Sequence, residues 1–319
     1  MKSAIKFRQY RTSLAITAVA LLAIYILLPQ LHSFRTSLKT IMHADPSYII
    51  LAVFFFIVTY FAAALSYCLI TYFRLPYWPT LLVQVAAGFT NRIAPAGLGA
   101  VTTNVLYLLK RSKSGVKAGY VAGLNNLIGF IAHVLLLAGL LIISKQSPRG
   151  LIHIKSIQLK WYLLVFLPPV VLLISLFWKV IKKFSIKSYG YLVSALAASL
   201  KRPWRLLAGL FAAMLVTVFY FLCLYAVMLA LNVHLSLLQV FLVLTISVIA
   251  ITVTPTPGGL GGVETGLVAT LISFGVAAGP ALSVALVYRL ITFWLPILPG
   301  FLALQAAINQ NYLLNSVKS

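Results

Sequence analysis

The sequence predicts an all-α polytopic membrane protein, and three observations carry the prediction. Hydrophobic residues make up 62% of the chain and charged residues 8%, with a mean hydropathy of +1.05 over 319 residues, far from the balance of a soluble domain. The apolar residues come in runs near the roughly 20 residues that cross a hydrocarbon core of about 30 Å. The cations fall between those runs. A net charge of +23 and a pI near 10.3 would suggest nucleic acid in a soluble protein. Lysines and arginines in loops between apolar spans instead point to orientation and anionic lipid, so no nucleic-acid partner is expected. The longest hydrophilic stretch, 179–205, is too short for a soluble domain, and 1–319 reads as a single integral membrane domain.

In chain order, Lys2, Lys6, Arg8 and Arg11 precede an apolar segment at 12–31. That segment is long for a signal peptide and has no clear small-residue cleavage site, so a retained first span is expected. A short loop with Asp45 leads to a second span at 46–70. The stretch 77–110 holds two apolar halves flanking Asn91-Arg92-Ile93-Ala94-Pro95-Ala96-Gly97-Leu98-Gly99. Each half is shorter than a full crossing, which suggests a re-entrant helical hairpin. Spans follow at 118–143 and 161–180, then a basic segment at 179–205 whose middle, 189–200, suits an interfacial helix. The last spans are 206–231 and 280–308, and between them lies a second broken pair, 235–253 and 263–276.

That second break reads Thr254-Pro255-Thr256-Pro257-Gly258-Gly259-Leu260-Gly261-Gly262-Val263-Glu264. Two prolines remove backbone donors, and the glycines admit conformations that other residues resist. Irregular backbone persists at membrane depth only where protein or a water-filled cavity covers it. The hairpin-backbone residues singled out here are Pro95, Gly97 and Gly99 in the first break and Pro257, Gly258, Gly259 and Gly261 in the second. Residues 95–101 match 257–263 as P-x-G-L-G-x-V at a constant offset of 162, which marks an internal repeat. Repeat 1 covers roughly 46–143 and repeat 2 roughly 206–308.

Placing the N-terminus inside puts 17 of the 25 lysines and arginines on the cytoplasmic side and 6 outside, with Arg92 and Arg289 left within membrane segments. The bias favours a cell-membrane protein with both termini cytoplasmic. Three spans then separate the broken pairs, so they enter from opposite faces. About six full spans plus two oppositely oriented hairpins give an inverted repeat, an architecture of transporters whose substrate site lies at the repeat interface. A duplication kept only as scaffold is the plainer alternative.

The residues Pro257-Gly258-Gly259-Leu260-Gly261-Gly262-Val263-Glu264, followed by Tyr288-Arg289-Leu290 and Phe293-Trp294-Leu295-Pro296, resemble the membrane domain of lysylphosphatidylglycerol synthases. Flippase-like proteins consisting of that domain alone share the pattern. The resemblance implies a flippase-type fold and translocation of a phospholipid or polyprenyl-linked lipid between leaflets. Many such relatives carry an acidic residue where this chain has Ala100, and an acidic–basic pair where it has Asn125-Asn126. Handling of a cationic headgroup therefore does not follow. Aminoacyl transfer in those synthases belongs to a soluble domain, so no enzymatic activity is expected of this membrane region.

The candidate substrate-binding residues are Arg92, Glu264, Arg289, Asn91, Asn126 and Tyr288. Guanidinium matches phosphate bidentately, which singles out Arg92 and Arg289. Glu264 is one of only two acids in the chain; it could cap the half-helix it begins, pair with Arg289, or bind a cationic group or proton. Arg289 lies in a span otherwise apolar from 281 to 293, so a Glu264–Arg289 ion pair is the simplest way to bury both. With Asp45 in a loop, no carboxylate pair exists for acid–base catalysis, and no catalytic residue is expected. Neither Cys68 nor Cys223 suggests a disulfide or a metal site, and neither metal nor cofactor is expected. His133 sits seven residues after Asn126 on the same helix face, and either bonds a neighbouring helix or relays protons. Gly115, Gly119 and Gly123 suggest close helix packing. The cytoplasmic clusters at 110–117 and 179–205 suit anionic lipid headgroups as partners. A non-transporting scaffold for a lipid-modifying enzyme or glycosyltransferase is the alternative to a transporter.

Overall fold

Asp45 starts the first described helix. Its side chain accepts the Ser47 N–H at 2.8 Å, and Pro46 takes the first helical position, where a missing N–H costs nothing. The computed structural model describes residues 42, 44–94, 97–144, 199, 201–254 and 256–313. The spans expected at 12–31 and 161–180, the interfacial helix at 189–200 and Pro95 lie outside these residues or largely so.

The described helices fall into two runs of four. The first holds α1 (Pro46–Ile70), α2 (Tyr77–Ile93), α3 (Leu98–Ser112) and α4 (Gly115–Ser144). The second holds α5 (Pro203–Ala230), α6 (Leu237–Val253), α7 (Gly262–Ser273) and a last long segment. That segment is α8 (Ala278–Arg289), a π-helical turn at Leu290–Trp294, and α9 (Ile297–Asn309). Each run is thus a long helix, two short ones packed on each other, and a long helix. Among the described residues four segments are long and apolar enough to cross a membrane: Pro46–Ile70, Gly115–Ser144, Pro203–Ala230 and Ala278–Asn309. The short helices, 17, 15, 17 and 12 residues long, fall below the roughly 20 residues of a full crossing.

Among the described residues the most extensive helix contact joins α1 to α5, and it runs antiparallel. At one end the Asp45 N–H reaches the Ala230 carbonyl at 3.0 Å. At the other, Arg205 Nη2 donates to the Cys68 carbonyl at 3.1 Å, and Gly209 is so close to Ile70 that a Cβ would collide with it. The outer helices then cross over reciprocally. α9 packs on α2, where a Cβ on Gly300 would stand 2.7 Å from that of Phe89. α4 packs on α6 through His133, whose Nε2 lies 2.9 Å from Thr245 Oγ1 and whose ring meets Phe241 at 4.9 Å. Each run therefore lends its last long helix to the short pair of the other.

The breaks use glycine where geometry demands it. Gly97 precedes α3 with φ 75°, and a Cβ on Gly99 would fall on the backbone carbonyl of Thr90, so α2 and α3 can meet this closely only at glycine. Among the described residues nothing packs on Gly115, Gly119 and Gly123 in the way expected: outside their own helix, no atom lies within 4 Å of where their Cβ atoms would stand. Among the described residues no partner helix covers that stripe.

Candidate functional site

The two broken pairs meet. Gly258, at the tip between α6 and α7, has φ 59°, and a Cβ there would stand 3.3 Å from Cα of Arg92, in the last turn of α2, and strike the Phe293 ring. Around this junction the side chains line a half-open cavity of about 310 Å³. Its walls come from α1, α2, α4, α5, α6 and the α8–π turn, with Ala100 of α3 and Gly258 and Val263 of the second break.

Arg289 organises one side. It is the last residue of α8, and its Nε donates to Glu264 Oε1 at 2.7 Å while Nη2 donates to the Gly258 carbonyl at 3.1 Å. Its guanidinium carbon sits 4.4 Å from the centroid of Phe293. The other Glu264 oxygen accepts the Gly261 N–H at 2.8 Å, satisfying a donor at the start of α7. Glu264 thus caps a helix and pairs with an arginine together. The expected Glu264–Arg289 ion pair is present, with side-chain exposures of 23% and 7%. It ties the tip of one break to the middle of the last span.

Arg92 organises the other side, and sequence reasoning missed how. Pro296 has no N–H to give the Thr292 carbonyl, four residues before it, and the turn at Leu290–Trp294 widens so that the Leu295 N–H reaches Leu290 instead, at 2.9 Å. Arg92 supplies the missing donors: Nη2 to the Thr292 carbonyl and Nε to that of Phe293 at 2.9 Å, with Nη1 on Gly88 of its own helix. Two guanidiniums from the two runs therefore converge on the Thr292–Phe293 turn.

Of the candidate residues, Asn91, Arg92, Tyr288, Arg289 and Gly258 line the cavity, and Glu264 stands behind Arg289. Asn91 Oδ1 is buried with no hydrogen-bond partner among the described residues. Asn126 does not belong to this group. It is exposed on α4, two turns from His133, which does line the cavity. Gly97, Gly99, Pro257, Gly259 and Gly261 shape the breaks but do not line the cavity, so they hold backbone rather than ligand. The missed lining includes Gln84, whose amide donates to Asn104 at 2.7 Å, and Tyr60 and Tyr220. Gln84, Gly88, Asn91 and Arg92 fall at helical spacing, so a polar stripe on α2 was there to be read. Among the described residues no cluster of His, Cys, Asp and Glu could hold a metal.

This arrangement can hold a polar group inside a membrane domain while the breaks supply backbone at the same depth. The family model described as "Lysylphosphatidylglycerol synthase TM region" matches residues 13–300. The chain belongs to that family. It is a multi-pass membrane protein of the lysylphosphatidylglycerol synthase TM region family, and the Arg289–Glu264 pair lies inside the matched region. Among curated proteins none matches the chain at a significant level.

Proposed function

We propose that this protein is a lipid flippase, moving a phospholipid or polyprenyl-linked lipid between the leaflets of the cell membrane rather than transforming it. The observation behind this reading is the cavity at the meeting point of two broken helix pairs, where Arg92, Arg289, Asn91 and Gln84 stand on a mostly apolar wall. Membership in a family whose description names a lipid synthase's membrane region supports a lipid-related role. The antiparallel α1–α5 contact and the reciprocal α2–α9 and α4–α6 packing support an inverted repeat. In such a repeat the short pairs are re-entrant and enter from opposite faces, with about six full spans around them. The cavity, about 310 Å³, is at the small end of the roughly 300–1,000 Å³ of ligand sites. It accommodates a headgroup, leaving the acyl or prenyl chains in the bilayer. Both termini are cytoplasmic, and the basic loops at 110–117 and 179–205 gather anionic lipid at that face.

The test is headgroup accessibility in proteoliposomes carrying fluorescent lipids, with an impermeant quencher added outside. Purified protein is expected to expose lipid from the inner leaflet faster than protein-free vesicles do. Folded, inserted protein that leaves leaflet exchange unchanged for phospholipids and polyprenyl-linked lipids alike would sink the reading.

A further inference from the structure

The charge of the cavity sets the sign of what enters it. Arg92 and Arg289 both line the space, and Glu264 is committed to Arg289 at 2.7 Å. The only other acid among the 319 residues is Asp45, which caps α1 outside the cavity. No carboxylate remains in the sequence to neutralise Arg92. Its three contacts are backbone carbonyls, dipoles that solvate a guanidinium without cancelling its charge. Of the other polar groups on the wall, Asn91, Gln84, Tyr60 and Tyr288 are neutral, and His133 can only add positive charge. The site therefore holds one net positive charge in an apolar setting, where unpaired charge is costly.

We infer that the cavity is an anion-selective headgroup site: it takes a lipid phosphate whose headgroup carries net negative charge, and it discriminates against zwitterionic and aminoacylated lipids. The inference rests on the flippase reading only for how the ligand arrives. A guanidinium meets phosphate oxygens through paired N–H donors. Arg289 uses Nε and Nη2 within the chain, and Nη1 takes part in neither bond. Arg92 uses one hydrogen on each nitrogen, leaving a second on Nη1 and on Nη2. A phosphate at this junction would complete the neutralisation that no side chain supplies. A lysyl or choline headgroup would bring a cation beside Arg92. The shared ligand chemistry is a lipid phosphate, from either a phosphodiester lipid or a polyprenyl monophosphate.

Ala100 provides the decisive variant. It lines the cavity with a methyl side chain that makes no hydrogen bond, while its carbonyl accepts from Asn104 Nδ2 at 2.9 Å. Ala100→Glu adds a carboxylate, and Ala100→Gln adds the same bulk without charge. The purified chain in neutral detergent is titrated with dihexanoyl phosphatidylglycerol, farnesyl phosphate, dihexanoyl phosphatidylcholine and dihexanoyl lysylphosphatidylglycerol, with bound lipid counted by native mass spectrometry. The wild type should bind at least one of the two anions about tenfold or more tightly than phosphatidylcholine, and the lysyl lipid most weakly. Tighter farnesyl phosphate assigns a polyprenyl source, and tighter phosphatidylglycerol a phospholipid source. Ala100→Gln should keep the discrimination and Ala100→Glu should erase most of it. Equal binding of phosphatidylglycerol and phosphatidylcholine by the wild type, or equal behaviour of folded Glu and Gln variants, overturns the inference. Selective binding without protein-dependent leaflet exchange would fell the flippase reading alone. Exchange of phosphatidylcholine as fast as of the anions would fell the selectivity alone.

Discussion

At the scale of single residues, the decisive feature is a guanidinium buried to 7% exposure with one carboxylate beside it. Removing either partner strands the other in a low-dielectric setting, which typically costs about 3–5 kcal/mol, whereas removing both can be nearly neutral. Glu264→Gln and Arg289→Gln are each expected to lower stability by that order in detergent unfolding, and the double variant to recover most of it. Stability equal to wild type in both single variants would show that the pair is not what holds the α6–α7 tip on the last span. The same set separates structure from transport. In the double variant the fold should persist and leaflet exchange should be lost, because Arg289 also faces the cavity. Arg289→Lys keeps the charge but cannot reach Glu264 and the Gly258 carbonyl in one planar fork. It should retain more stability than Arg289→Gln and lose much of the exchange.

Among the elements, the interrupted last span explains why Arg92 sits where it does. Pro296 deprives the Thr292 carbonyl of its N–H, and Arg92 answers from another helix 200 residues away. Pro296→Ala restores a donor and permits a regular turn, so Arg92→Gln should destabilise the wild type more than it destabilises the Pro296→Ala variant. A double-mutant cycle on unfolding free energies should show coupling of about 0.5–3 kcal/mol. Additive losses would mean that Arg92 does not serve these carbonyls. This contact also marks where the sequence stops being readable. The α1 boundaries, 46–70, follow from an apolar run with a capping Asp and Pro at its start, and the breaks follow from Pro and Gly at membrane depth. Those are local signals. Arg92 meeting the Thr292 and Phe293 carbonyls is not local, and a backbone acceptor leaves no residue pattern to pair with. Asn126 fails for a related reason: its spacing puts it on the helix face of His133, but it is exposed, whereas His133 reaches Thr245 of α6. The glycines of α4 carry a packing motif without showing which surface, if any, it packs against.

For the whole molecule, handedness in the membrane follows from one contact made twice. Asp45 at the start of α1 touches Ala230 at the end of α5, and Cys68 near the end of α1 accepts from Arg205 at the start of α5. If α1 descends, α5 must ascend, and the short pair after each begins on the opposite side from the other. The charge of the loops gives the expected sides. The turn joining α3 to α4 sits among Lys110, Arg111, Lys113 and Lys117, whereas 231–236 and 274–277, flanking the second pair, hold no lysine or arginine. Positive loops stay cytoplasmic. Single cysteines at Lys113 and at Ala277, both exposed, should therefore react with an impermeant maleimide from opposite faces of the same vesicles, Lys113→Cys from the cytoplasmic face and Ala277→Cys from the exterior. Cys68 and Cys223 lie within helices, Cys223 buried, and should contribute little background. Labelling of both positions from one face would mean that the two short pairs enter from the same side. The inverted arrangement would then fall, and with it the reason for a cavity at the junction to open alternately to the two leaflets.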